Sequence, residues 1–405
     1  MGWDGLETFQ VFFADLHVHV GRDSRGRPVK VSASSALTLR RIVEECATRK
    51  GIQIVGVVDC GSAGVLEDAE ALLQEYSGRE ADGGGIVFGF GGGRTLTVLL
   101  ASEIEVPVNG SSFHLITYLP DLDGARRWSA WLEKRVRNPR LSTQRCSAGL
   151  DEIVETVSGL SGFSIFAHAF TPHKGILGCC CDRLQPLLSG LPSDCIPAVE
   201  LGLSADSDMA DMLSEMHPFS FVSNSDAHSA SSIAREYNAM FLREEATFEE
   251  VALALQRKGG RRVLANYGLD PRLGKYHRSF CSACERVLGD GWSVGSCPFC
   301  GSSRIVRGVY DRVLEIADLP EAVHPAHRPP YVHQVPLSFI PGLGKRTVDR
   351  LIARFGSEME VLHRVTRDEL AGVVGETLAG AIVAAREGRL RLKPGGGGVY
   401  GRVEG

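Results

Sequence analysis

Seven short apolar runs, almost all of them ending in a histidine or a carboxylate, constrain this chain more than any other feature. The first, Val11-Phe12-Phe13-Ala14-Asp15-Leu16, is closed by His17 and His19. In a β-strand residues i and i+2 share a face, so both imidazoles can reach one point past the strand end, as a metal ion requires. The run at 52–58 ends in Asp59 and that at 96–102 in Glu103; His114 lies within 113–118, and His168 follows 163–167. Glu200 follows Ala198-Val199, and the run at 219–222 leads into Ser223-Asn224-Ser225-Asp226-Ala227-His228. Segments this short, apolar and β-branched, bounded by Gly, Pro or Asp, read as buried strands. Helical stretches at 38–49, 66–76 and 150–158 separate them, an alternation that predicts an α/β fold with a parallel αβ barrel. The carboxyl ends of barrel strands converge on one open face, so ligands scattered in sequence become a single cluster in space.

With 405 residues the chain exceeds one ordinary compact core, and two or more domains are expected. Residues 1–250 hold 21 Lys and Arg against 34 Asp and Glu, a balance of −13; residues 251–405 hold 23 against 15, a balance of +8. An acidic front half fits a carboxylate-rich metal site, and a basic back half fits an appendage that binds a polyanion. The first residues have no basic start or apolar core, and no run approaches membrane-spanning length. These features, with eleven cysteines, predict a protein of the reducing cytoplasm with no membrane partner.

Cys281-Ser282-Ala283-Cys284 and Cys297-Pro298-Phe299-Cys300 form a CxxC…CxxC pair with twelve residues between, the spacing of a zinc ribbon. Two disulfides or a redox pair would use the same residues but suit a reducing compartment poorly. Four thiolates leave no open coordination position, so this zinc is structural. Cys179-Cys180-Cys181 cannot all face one metal from a regular element; the run is incidental or redox-sensitive. A Pro-rich connector at 319–338 follows the ribbon. Beyond it Pro341-Gly342-Leu343-Gly344-Lys345-Arg346 opens a helix to about Phe355 and resembles the helix-hairpin-helix module that grips the DNA backbone. Gly342 and Gly344 let main-chain amides approach a phosphate, while Lys345 and Arg346 add charge. A weaker repeat lies at 370–375, before a helix at 378–386. The glycines at 395–398 read as a flexible tail. The expected units are a barrel at 1–265, a ribbon region at 266–318, the connector at 319–338, the helical hairpin domain at 339–393 and the tail at 394–405.

The order Asp15-Leu16-His17-Val18-His19, a strand-end Asp, a strand-end Glu, later histidines and a final Asp226-Ala227-His228 resembles the polymerase and histidinol phosphatase (PHP) domain. More narrowly, the motifs at 102–105, 139–142, 167–172, 200–206, 223–228 and 274–277, followed by the ribbon, resemble the endonuclease Q family over about the whole chain. The resemblance implies a distorted seven-stranded αβ barrel, then a small zinc ribbon and a C-terminal helical hairpin domain. It also implies a DNA repair endonuclease that cuts 5′ to a deaminated base (hypoxanthine, uracil, xanthine) or an abasic site. Carried over by motif, the metal ligands are His17, His19, Asp59, Glu103, His114, His168, Asp226 and His228. They would hold two or three divalent ions, with Zn, Mn or Fe suiting a mixed His and carboxylate set better than Mg. Asp226, Glu103 and His228 are the expected catalytic residues: Asp226 as ligand and base for the attacking water, Glu103 as bridging ligand. The sequence departs from many PHP domains at Asp59-Cys60, where His follows the Asp; Cys60 is either a soft ligand or a missing one. Glu200 reads as a support behind the ligands or a strand cap, and Asp23 as part of a polar loop. Arg140, Gln144, Arg145, Thr171 and His173 are expected to line the substrate pocket. Damaged single- or double-stranded DNA is the expected partner, with a sliding clamp as a further candidate. The alternative is a PHP phosphoesterase acting on small-molecule phosphates, which leaves the ribbon, the hairpin module and the +8 half without a purpose.

Overall fold

The computed structural model describes residues 9–192, 194–243, 245–289, 292 and 295–403. The first eight residues, on which the expectation of no export signal rests, lie outside the described residues. The seven apolar runs all form strands: β1 (Gln10–Val18), β2 (Ile54–Val57), β3 (Arg94–Val108), β4 (Ser111–Leu119), β5 (Phe163–Phe166), β6 (Ala198–Glu200) and β7 (Ser220–Val222). They hydrogen-bond in that order, each beside the next. Three more strands, β8 (Tyr237–Leu242), β9 (Arg262–Gly268) and β10 (Tyr331–His333), extend the sheet from the other edge of β1. The sheet curls until β7 approaches β9, the strand next to the opposite edge: Asn266 Nδ2 on β9 donates to the Phe221 carbonyl on β7 at 2.9 Å. The result is a distorted αβ barrel.

Among the seven strands β1 to β7, one breaks the parallel arrangement; β8, beyond them, also runs antiparallel to both of its neighbours, β1 and β9. β1, β2 and β3 are parallel, as are β5, β6 and β7, but β4 runs antiparallel to both neighbours. The cause is local, because β3 and β4 are joined by Asn109-Gly110, with φ of 47° and 78°. Positive φ at both central residues is the hairpin turn whose twist matches the flanking strands, and Asn-Gly is its strongest signature. The hairpin places His114 near the start of its strand instead of at its carboxyl end.

Alternation along the strands sorts the core into two sets. Val55, Val57, Val98, Leu100, Leu115, Phe166 and Val199 pack with the helices Ala63–Glu75, Leu122–Glu133 and Leu150–Gly159. Leu16, Ile54, Leu99, Ala101, Ile116, Tyr118, Ile165, Ala198 and Val222 form an inner core, floored by the helix Phe248–Leu255. Followed upward at period 2, the inner face turns polar: Leu99 and Ala101 lead to Glu103, Tyr118 and Ile116 to His114, Ala198 to Glu200, and Val222 to Asn224. Apolar burial below thus fixes the strand register that sets the polar groups above.

The ribbon cysteines sit beside a two-stranded pairing of Phe280–Cys281 with Ile305–Val306. The connector packs along the barrel, where Arg328 pairs with buried Asp211 at 2.7 Å and stacks over Phe221. Four helices follow, Lys345–Phe355, Glu358–His363, Arg367–Val374 and Glu376–Arg386. They are fastened to the barrel by Lys50–Glu358 at 2.9 Å and Arg49–Asp349 at 2.6 Å. The glycine-rich segment corrects the expectation of a flexible tail. Leu392–Lys393 pairs with Arg402–Val403, and the Gly395 and Gly401 amides donate to the Arg272 and Leu273 carbonyls at 2.7 and 2.9 Å. Composition predicted free chain, but main-chain hydrogen bonds to an ordered loop hold the described part, through Val403, against the body.

Candidate metal centre

Two ligand clusters meet at the mouth of the inner face: His17, His19 and Asp226 in one, Glu103, His114 and His168 in the other. Within each, one donor atom per residue lies within 4.8 Å of the rest. His17 Nε2 and His19 Nε2 are 3.3 Å apart, and Asp226 Oδ1 stands 3.5 and 3.4 Å from them. Glu103 joins the clusters, its Oε1 lying 2.9 Å from His114 Nδ1, 3.4 Å from His168 Nε2 and 3.6 Å from His17 Nε2.

Each histidine of the pair has a carboxylate behind it. His17 Nδ1 is 2.9 Å from Glu200, and His19 Nδ1 is 3.0 Å from Asp59, whose other oxygen accepts the Val20 amide at 2.5 Å. A carboxylate on the far ring nitrogen fixes tautomer and ring orientation and raises ligand basicity. Asp59 therefore lies behind His19, with both oxygens engaged, and Glu200 does for His17 what Asp59 does for His19. His228 packs its ring 4.6 Å from that of His19 and turns Nδ1 to the Asp226 carbonyl at 2.9 Å.

The backbone is bent to bring these groups together. His168 and Asp226 follow β5 and β7 with φ of 28° and 45°, left-handed values that non-glycine residues seldom adopt and that cluster at functional sites. Gly202 makes room beside the first, since a Cβ there would lie 2.9 Å from the His168 Cβ.

The electrostatics favour positive charge at this point. Burial alone would lower His17, yet Glu200 and Asp226 lift it to about 10. Burial would raise Glu103 and Asp226, but His114 and Lys30 hold the first, and His17 and His19 the second, well below the usual carboxylate range. His228 is pushed down to about 4 by burial and by His19. Ionised carboxylates facing imidazole nitrogens are the donor set of a divalent cation centre, so the residues present fit the metals that the fold implies.

Above the clusters opens a cavity of about 550 Å³. His114, His168, Asp226 and His228 line one side; His173, Lys275, Tyr276 and Tyr400 line another. Tyr400 reaches it through the glycine-rich strap, and the Lys275 ammonium lies 4.9 Å from the Tyr276 ring and 5.6 Å from that of Tyr400.

The lesion-specific endonuclease PfuEndoQ from Pyrococcus furiosus is 32% identical to this chain, with a TM-score of 0.80 over 98% of it and 95% of the relative. The chain belongs to the endonuclease Q family. A second endonuclease Q structure, a complex with a 27-mer duplex carrying an abasic lesion at the active site, matches with a TM-score of 0.81, again at 32% identity, over 98% of this chain and 96% of that one. The uncharacterized protein YqxK of Bacillus subtilis is 43% identical over 395 residues, 97% of this chain and 99% of that protein. No family model matches. Endonuclease Q membership and the two clusters of metal-competent side chains make the chain a metal-dependent hydrolase.

Of the eight residues expected as ligands in this endonuclease Q homologue, six fall into the two clusters. Asp59 and His228 adjoin them. Cys60 belongs to the core: its thiol donates to the Val57 carbonyl at 3.3 Å and burial pushes it up to about 12, which disfavours the thiolate that metals bind. Asp23 does sit in a polar loop, accepting the Arg25 and Arg27 amides. Thr171 and His173 line the cavity as expected. Gln144 lies in a separate small cleft, and the Arg140 carbonyl accepts the Ser62 hydroxyl at 3.1 Å. Lys275 and Tyr276 lie in the 274–277 motif but were given no place in the pocket, and Lys30 and Tyr400 were not singled out; all four line the cavity. The four ribbon thiols converge, with Cys281–Cys300 and Cys284–Cys297 sulfur separations of 3.7 Å, a geometry compatible with zinc. Gly342, with φ of 84°, precedes Gly344, the N-cap of the helix Lys345–Phe355, and Lys345 and Arg346 are exposed at its start. Among the described residues no helix is long and apolar enough to cross a membrane.

Proposed function

We propose that this protein is a DNA repair endonuclease that hydrolyses the phosphodiester 5′ to a deaminated base or an abasic site. The observation that carries the reading is the extent of the likeness to PfuEndoQ, 98% of the chain. A small-molecule phosphatase would need only the barrel; here ribbon, connector and helical hairpins are shared as well. His17, His19, Asp226, Glu103, His114 and His168 hold the metals, with Asp59 and Glu200 orienting the histidine pair. Zn²⁺, Mn²⁺ or Fe²⁺ suits this donor set, and one Zn²⁺ suits the four ribbon thiols. Bound cations supply a water acidic enough to act as nucleophile at neutral pH and neutralise charge on the phosphate. Asp226, at the junction of both imidazoles, accepts the proton of the attacking water. Gly342 and Gly344 bring main-chain amides near a backbone phosphate, and Lys345 and Arg346 add cationic contacts without reading sequence.

The test uses labelled duplexes carrying hypoxanthine, uracil, an abasic analogue or no lesion, incubated with Mn²⁺ or Mg²⁺. Nicking 5′ to each lesion, absent from the undamaged duplex and from Asp226→Ala, is expected. Equal cutting of damaged and undamaged duplexes, or an Asp226→Ala variant as active as the parent, refutes the reading.

A further inference from the structure

We propose that Lys30 contacts the scissile phosphate, donating a hydrogen bond from its ammonium to a non-bridging oxygen as charge develops there. The proposal rests on the phosphodiesterase reading above and adds a residue that no ligand motif contains.

Lys30 is carried to the metal clusters by a loop built for rigidity. The loop leaves β1 and returns on itself: the Val29 amide donates to the Gly21 carbonyl and the Lys30 amide to the Val20 carbonyl, both at 3.0 Å. From outside, the Ser142 amide donates to the Val29 carbonyl, also at 3.0 Å. The backbone of Lys30 is thus fixed on both sides, and the side chain has little entropy left to lose.

Its Nζ lies 2.9 Å from Glu103 Oε2 and 2.5 Å from Thr143 Oγ1, and the Thr143 hydroxyl lies 2.7 Å from the same Glu103 oxygen. Thr143 makes this contact from a left-handed backbone, φ 52°, which is a true outlier for a β-branched residue. Strain of this kind persists only where the surroundings impose it, and here it places a hydroxyl between a lysine and a carboxylate. An ammonium has three donors. Two are met by Glu103 and Thr143, and the third has no acceptor among the described residues, although Lys30 lines the same cavity as His114, His168, Asp226 and His228.

Lys30 keeps 13% of its side chain exposed where it lines the cavity, so its third N–H is open to solvent or to a ligand oxygen. A preorganised donor aimed at developing phosphate charge has a free N–H by design. Glu103 faces imidazoles through both oxygens: Oε1 those of His17, His114 and His168, and Oε2 that of His19 at 3.5 Å, the latter oxygen also held by Lys30 and Thr143.

The experiment compares the full-length parent with Lys30→Met, Lys30→Arg and Thr143→Val, each loaded with Mn²⁺. It reads metal content by elemental analysis, affinity for an abasic duplex by anisotropy, and the single-turnover nicking rate at saturating enzyme. For Lys30→Met we expect parental metal content, affinity within about threefold, and a rate lower by on the order of 100-fold, as for loss of one transition-state donor. Lys30→Arg, which keeps a donor, recovers about tenfold of that loss. A Lys30→Met rate within about threefold of the parent overturns the proposal, and so does loss of metal, which would make Lys30 an organiser of Glu103 only. If Lys30→Met does not fold, Thr143→Val decides: about a tenfold slower rate with metal retained supports the contact, and a parental rate refutes it. A parent that nicks no lesion duplex refutes the substrate reading instead, and its metal content shows that the centre itself is intact.

Discussion

The barrel mouth and the C-terminal hairpins both meet a phosphate in the proposed reaction, yet they are built on opposite plans. At the mouth the charged groups are tightly partnered: Glu103 faces four histidines, a lysine and a threonine, and its side chain is 1% exposed. At the start of the helix Lys345–Phe355, Lys345 and Arg346 stand exposed, with only a glycine turn beneath them. Geometry that chemistry must use is over-determined; charge that only needs to sit near a polyanion is left loose. Losses should therefore be steep at the mouth and shallow at the hairpins.

The largest effect is expected at Glu103, which both clusters share. Glu103→Ala should lower nicking by about 10³-fold or more and reduce bound metal, measured by rate assay and elemental analysis. Retention of full metal content would mean that the clusters are independent. Next come Glu200→Gln and Asp59→Asn, each removing the negative charge behind one imidazole; metal affinity should fall about 10- to 100-fold in a chelator competition. Equal affinity to the parent would reduce both carboxylates to packing.

Glu236 sharpens the contrast from within the barrel. It is fully buried, but one oxygen accepts only the Leu269 amide at 2.9 Å and the other has no partner among the described residues. Burial raises it to about 8, whereas Glu103, with its histidines, goes the other way. The folded state thus holds this proton more tightly than the unfolded chain, where the carboxyl titrates near 4. Its contribution is fully present below about pH 4 and is lost as pH rises to about 8. In thermal unfolding between pH 5 and 9, Glu236→Gln should lose less stability with rising pH than the parent. Parallel curves would place the proton elsewhere.

The smallest effect belongs to the hairpins. Lys345→Ala and Arg346→Ala should weaken binding alike for damaged and undamaged duplex and each reduce the slope of log affinity against log salt by about 1. A selective loss for one lesion would show that the hairpins read the substrate.

What was legible in the sequence follows the same division. The barrel strands were visible because burial on both faces demands uninterrupted apolar runs, and five of the six cluster residues were visible because they stand at or just beyond the ends of those runs; His114 lies near the start of β4. The orientation of β4 was also written, in Asn109-Gly110, but a search for parallel units passes over a hairpin turn. Lys30 and Tyr400 were illegible for a different reason. Each reaches the cavity from a loop whose path is set by distant hydrogen bonds, and no period or spacing encodes that. The glycine run shows the limit most clearly, since its composition states that the chain can be free and only the Arg272 and Leu273 carbonyls determine that it is not.

That strap has a consequence for biosynthesis. The cavity is bounded by Lys30 on one side of the sequence and Tyr400 on the other, so nearly the whole chain must leave the ribosome before its wall is complete. The six residues of the two clusters, from His17 to Asp226, all precede the strap in the order of synthesis. Completion of the clusters and completion of the cavity wall are therefore assigned to different stretches of the chain, residues 17–226 and the last few residues described.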